Sequence, residues 1–145
     1  MFTHSTRDEI VEVVHKLFIY TDNQDWEKLQ SEVFTHEVFF DMSSMNGNKE
    51  EKTAEEICRL WQKGFEGLDA VNHLCGNIIV NIQDTTASVL AYATATHFKS
   101  DALNGKTRDF IGTYNIGLLK LHGGDWRIYE FRYNLKFATG NTSFT

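Results

Sequence analysis

The second half of the chain leaves few choices of fold. Val71–Ile82, Thr86–Phe98, Arg108–Leu121 and Trp126–Phe137 are long runs rich in β-branched and aromatic residues. Between them stand only Gln83-Asp84-Thr85, a Ser/Asp/Asn/Gly loop around Asn104-Gly105, and Gly123-Gly124-Asp125. Links this short cannot carry a crossover, so the runs predict antiparallel neighbours in one sheet. The first half has a helical period. Thr6 and Glu9 have the spacing of a capping box, and Ile10, Val13, Val14, Leu17, Phe18 and Thr21 follow one helix face. A short second helix is predicted behind Thr21-Asp22-Asn23, with Trp26, Leu29 and Val33 turned inward. Glu37–Met42 reads as a short strand and Ser43–Lys52 as a polar loop. Thr53 and Glu56 form a second capping box, opening a helix that carries Ile57, Leu60, Trp61 and Phe65. Helices first and a meander second is an α+β pattern, with the helices on one face of the sheet.

At 145 residues, with no proline and no linker-like stretch, the chain is expected to form one domain over 1–145, its core spanning 6–137 and its polar ends loose. The composition, 41% apolar and 13% aromatic, excludes global disorder. A net charge of −6 argues against nucleic acid or an anionic membrane as partner, since both demand clustered Lys and Arg. No apolar stretch reaches the ~18 residues of a spanning helix, and no secretory signal is evident, so a cytoplasmic location is expected. Cys58 and Cys75 lie far apart without a CxxC pattern, and read as reduced thiols. The six His form no HxH or HxxxH pair, so no metal site is expected.

One strand hints at a cavity. In Thr86–Phe98, Ala87, Val89, Ala91, Ala93, Ala95 and His97 share a pleat face. A row of alanines leaves room, for a closely packed helix or for a ligand. Four polar residues stand where a core prefers apolar ones: Asp22 ending the first helix, His73 opening the first long strand, His97 ending the alanine face, and Asn115 in mid-strand, on one face with Ile111, Thr113 and Leu119. Each has an ordinary structural role open to it: a turn cap for Asp22, a hydrogen-bonded core or rim for the histidines, a strand bridge for Asn115.

Several segments together resemble a known family. They are Tyr20-Thr21-Asp22-Asn23-Gln24-Asp25-Trp26-Glu27-Lys28-Leu29, Val38-Phe39-Phe40-Asp41, Asn72-His73, Ala91-Tyr92 through His97, Thr113-Tyr114-Asn115 and Gly124-Asp125-Trp126-Arg127-Ile128. The pattern is similar to the SnoaL-like branch of the NTF2-like superfamily, and within it nearest to the scytalone dehydratases. The resemblance implies a cone: N-terminal helices in the concave face of a strongly curved mixed or antiparallel sheet. It implies a cofactor-independent lyase or isomerase (dehydratase, isomerase or cyclase) acting on a small cyclic or aromatic carbonyl compound. The alternative is a non-catalytic binding or assembly subunit of the same superfamily. Carried over by position, His73 transfers the proton, Asp22 pairs with His97, and Asn115 holds the substrate. Thr21 and Met42 occupy the places of two substrate-binding tyrosines, and Thr113 flanks the Asn115 position. Histidine suits that chemistry because its unperturbed pKa of ~6.5 lies near neutrality, and a carboxylate bonded to one ring nitrogen fixes which nitrogen meets the substrate. The Asp22–His97 pair is expected to raise the histidine pKa. The superfamily's sheets leave an aromatic outer face, here Leu90, Tyr92, Phe98, Tyr114 and Tyr129, from which a homodimer or homotrimer is expected.

Overall fold

The computed structural model describes residues 4–145. Helix α1 spans Thr6–Asp22, the single turn α2 spans Trp26–Lys28, and a π-helical turn continues it over Leu29–Val33. Strand β1 (Phe34–Asp41) is followed by a 3₁₀ turn at Ser43–Met45, β2 (Lys49–Thr53) and α3 (Ala54–Gly64). The rest is a four-stranded meander: β3 (Ala70–Gln83), β4 (Thr86–Phe98), β5 (Thr107–Lys120) and β6 (Trp126–Gly140). The strands form one open sheet in the order β2-β1-β6-β5-β4-β3. All neighbours are antiparallel except β1 and β6, so the sheet is mixed. Three helices packed against this sheet give the expected α+β cone.

Local chemistry explains the boundaries. The N-cap of α1 is Ser5, one residue before the expected Thr6: Ser5 Oγ accepts from the Asp8 amide at 3.1 Å, and Asp8 Oδ2 accepts from the Ser5 amide at 3.3 Å. At α3 the expected Thr53–Glu56 box is present, with Thr53 Oγ1 accepting from the Glu56 amide at 3.1 Å. Strand β2 occupies the end of the segment read as a polar loop and runs on to Thr53. Its sequence, Lys-Glu-Glu-Lys-Thr, has no apolar alternation because it is an edge strand paired only with β1. Strand β1 begins at Phe34 rather than Glu37, the earlier part pairing with β6 through Ile128.

Three irregularities lie within the β3–β6 meander, besides one between Phe34 and Phe39 where β1 meets β6. Register shifts fall between Gly76 and Ile79 in β3, and between Ile111/Gly112 and Gly117/Leu118 where β5 meets β6. Each extra residue bends its strand and reverses the inward alternation beyond it. Thus β6 buries Trp126 and Ile128, then Phe131 and Tyr133. The alanine face of β4 is inside, with Ala87, Ala91, Ala93 and Ala95 all buried. The Gly123-Gly124-Asp125 turn forms as expected, Leu121 N–H donating to Asp125 O at 2.7 Å, and it delivers Trp126 into the core. The chain end is not loose. Phe144 is buried, its ring lies 4.3 Å from the Arg108 guanidinium carbon, and Asn104 N–H donates to Thr145 O at 3.1 Å. Cys58 and Cys75 are free thiols. Among the described residues no helix is long and apolar enough to cross a membrane.

Candidate active site

Helix α1, the 3₁₀ turn, α3 and the inner face of the sheet line a half-open cavity of about 500 Å³. Its walls are mostly apolar, with Leu17 and Phe18 from α1, Met45 from the turn, Trp61 from α3, and Phe110 and Phe131 from the sheet. That volume lies within the range of small-molecule pockets. The turn carrying Met42 and Met45 is held by buried Asp41, which accepts from the Ser43 hydroxyl at 2.6 Å, the Ser43 amide at 3.0 Å and Arg132 Nε at 3.1 Å. These bonds hold the Asp41 carboxyl below the usual carboxylate range, the Ser43 bonds acting most strongly.

Asp22 ends α1 beside β3. Its Oδ2 accepts the His73 backbone N–H at 2.8 Å, and its Oδ1 lies 2.6 Å from His73 Nδ1. One carboxylate thus grips both the strand and the ring. Phe18 stacks on the imidazole at 5.3 Å between centroids. With Nδ1 donating to a carboxylate, Nε2 is the nitrogen left with a lone pair, and His73 lines the cavity.

The expected Asp22–His97 pair is therefore corrected: Asp22 binds His73 through both oxygens. His97 stands one strand further on, and its Nδ1 accepts from Arg108 Nε at 3.1 Å. The expected direction of its pKa is also reversed. Burial, then the Arg108 charge, then His73, push the His97 imidazole down to about 4. It is neutral near pH 7, with its one N–H at Nε2, and it too lines the cavity.

Asn115 and Thr113 are corrected as well. The buried, apolar face of β5 is Gly112, Tyr114, Ile116 and Leu118, so Asn115 and Thr113 lie on the opposite face. There Asn134 Nδ2 donates to Asn115 Oδ1 at 2.7 Å and to Thr113 Oγ1 at 3.2 Å. Neither borders the cavity. Tyr114, expected on the outer face, is inside. Thr21 and Met42 do border the cavity, and Thr21 spends its hydroxyl proton on Leu17 O at 2.6 Å.

Two phenols unmarked as site residues by the sequence stand on the cavity wall. Tyr114 and Tyr133 both line the cavity, with ring centroids 4.8 Å apart. Burial pushes the Tyr133 phenol up to about 12 and Tyr114 higher still, so both remain protonated donors. The Tyr133 hydroxyl is buried and has no partner among the described residues. Gly112 makes space for it: a Cβ there would sit 2.7 Å from the Tyr133 oxygen. The signal for these phenols was the apolar parity of β5 and β6, hidden in β6 by its bulges. Among the described residues no three His, Cys, Asp or Glu side chains are placed to hold a metal ion.

Residues 3–132, nearly the whole chain, match the SnoaL-like domain family. The chain belongs to the SnoaL-like domain family. This SnoaL-like protein has no match among curated proteins. Its fold is similar to several solved structures. The Kfla4162 protein from Kribbella flavida is 19% identical with a TM-score of 0.87, covering 95% of each chain. A candidate scytalone dehydratase of Novosphingobium aromaticivorans is 16% identical with a TM-score of 0.74, covering 90% of this chain and 84% of that one. A hexachlorocyclohexane dehydrochlorinase of Novosphingobium barchaimii is 12% identical with a TM-score of 0.78, covering 93% and 89%. At these identities the likeness concerns the fold.

Proposed function

We propose that this SnoaL-like protein is a lyase or isomerase that moves a proton on a small cyclic or aromatic carbonyl compound. The observation that carries this reading is the Asp22–His73 pair on the wall of a deep, mainly apolar cavity. In this reading His73 Nε2 removes a proton next to the carbonyl and returns it at a neighbouring atom. Asp22 fixes the ring and stabilises the imidazolium formed in the step. Tyr114 donates to the oxygen on which negative charge develops, an effect worth ~3–4 kcal/mol per donor in comparable sites. The chemistry asks for no organic cofactor. That the fold is shared with a dehydrochlorinase and a candidate dehydratase supports elimination as one form of the reaction. Thr21 favours a second reading, non-catalytic binding, because its hydroxyl proton is already spent on its own helix.

The test is proton exchange in D₂O on a panel of enolisable cyclic ketones, 2-tetralone among them, followed by NMR. The protein should accelerate exchange for at least one, and His73→Ala should lower that rate by ~10²–10⁴. Exchange that survives in a folded His73→Ala protein overturns the assignment. Ketones that bind without exchanging establish the binding reading.

A further inference from the structure

Among the described residues, Arg108 is the one cation on the cavity wall, and the proton-transfer reading does not use its charge. It opens β5 opposite His97 on β4, and both side chains border the cavity. Its Nε donates to His97 Nδ1 at 3.1 Å and its Nη1 to Thr142 O at 3.1 Å. Phe110 and Phe144 flank the guanidinium, their centroids 5.5 Å and 4.3 Å from its central carbon. Among the described residues no carboxylate lies within ion-pair distance of it. The adjacent Asp109 is occupied elsewhere, accepting from Thr96 Oγ1 at 2.5 Å.

A guanidinium offers five N–H donors in a planar fork. Two of its nitrogens are engaged here by neutral acceptors, and Nη2 has no partner among the described residues. The bond from Arg108 also fixes His97 with its proton at Nε2. One end of an apolar cavity therefore holds a positive charge and a neutral imidazole N–H side by side. Holding a partly buried charge among aromatic walls is costly unless an opposite charge arrives. The acids among the described residues do not supply one, and the tail residues Thr142 and Phe144 hold the fork in place.

We infer that the ligand of this cavity is a small ring compound bearing one carboxylate, which sits against Arg108 and His97 while its ring fills the apolar space toward His73. The inference rests on the reading of the cavity as a substrate site, and it narrows the substrate to a carbonyl compound that is also an acid. Arg108 is then a specificity-determining residue, and His97 a neutral donor to the same carboxylate.

The test uses binding alone, so that its failure is separate from failure of proton transfer. Calorimetric titration with 2-naphthoate and its neutral isostere 2-naphthamide, at pH 7.5, compares one ring with and without the charge. The protein should prefer the carboxylate by at least ~10-fold, the size of one charge-assisted fork interaction. Arg108→Gln should reduce that preference to about twofold or less, weakening naphthoate about fivefold more than naphthamide, with a circular-dichroism spectrum like the parent's showing that the fold is intact. Should Arg108→Gln fail to fold, the unaltered protein still answers. Naphthoate should shift the Arg108 Nε–H resonance, identified by its bond to His97, and naphthamide should not. Equal affinity for the two probes, a preference that survives Arg108→Gln, or no naphthoate binding overturns the inference. The ketone exchange experiment stands or falls independently.

Discussion

His73 and His97 face the same way on neighbouring strands, yet their surroundings separate their roles. His73 meets a carboxylate and His97 meets a guanidinium. A largely buried imidazole beside a fixed positive charge is driven toward its neutral form, and at His97 the pKa falls to about 4. The consequence for stability follows by linkage. Between pH ~6.5 and about 4 the unfolded chain binds a proton at this position and the folded chain does not, so stability rises with pH across that window. The contribution is complete above pH ~6.5 and is lost as the pH falls toward 4, amounting to at most ~3 kcal/mol. Urea unfolding at a series of pH values should show this slope, and His97→Gln should remove it. The Asp41 carboxyl, held below its usual range, loses its stabilising effect at lower pH and does not mimic the change. A wild-type protein and a His97→Gln variant with the same pH slope would contradict the assignment.

At the scale of the element, β5 shows what strand alternation can and cannot reveal. Its residues read equally as two half-polar faces until the apolar set Gly112, Tyr114, Ile116 and Leu118 is recognised as the buried one. Choosing the other face put Asn115 into the site and Tyr114 outside it. Elsewhere alternation was sufficient: the alanine face of β4, the meander itself and the Trp126 turn all follow from local patterns. The bulges, the edge strand β2 and the partner of Asp22 do not. Each depends on residues distant in sequence, as Asp22 and His73 are, and leaves no period of its own. Gly112 is where this long-range fit is tightest. A methyl group there would press on Asn134 O and lie 2.7 Å from the Tyr133 hydroxyl. Gly112→Ala should therefore cost ~1–3 kcal/mol, as overpacking does, measured by urea midpoint at unchanged slope. It should also displace the Tyr133 phenol, which a crystal structure of the variant would show. A variant as stable as the parent would mean that β5 and β6 separate there at little cost.

The whole molecule divides into an inner face that lines the cavity and an outer sheet face without helices. On the outer face Leu74 is 74% exposed, Ile79 58% and Tyr92 41%, on two adjacent strands. Single exposed apolar side chains are ordinary, but several together on one flat strand surface characterise contact regions. Lys136 lies over the Tyr92 ring at 4.4 Å, a cation–aromatic pair that leaves the leucine and isoleucine uncovered. The net charge of −6 is small enough for two copies to approach face to face, since salt at physiological strength screens it within ~8 Å. Self-association through this face is accordingly proposed. Light scattering at ~10 μM should give the mass of a dimer or trimer, because an interface of stable size binds well below that concentration. Leu74→Lys with Ile79→Lys should lower the mass to that of one chain while leaving the cavity, and with it the binding of 2-naphthoate, unchanged. Both positions lie on the solvent side of β3, where the added ammonium groups remain hydrated in the monomer and would be desolvated in the interface. A monomeric parent protein, or a double variant that associates as the parent does, would exclude this face as the contact.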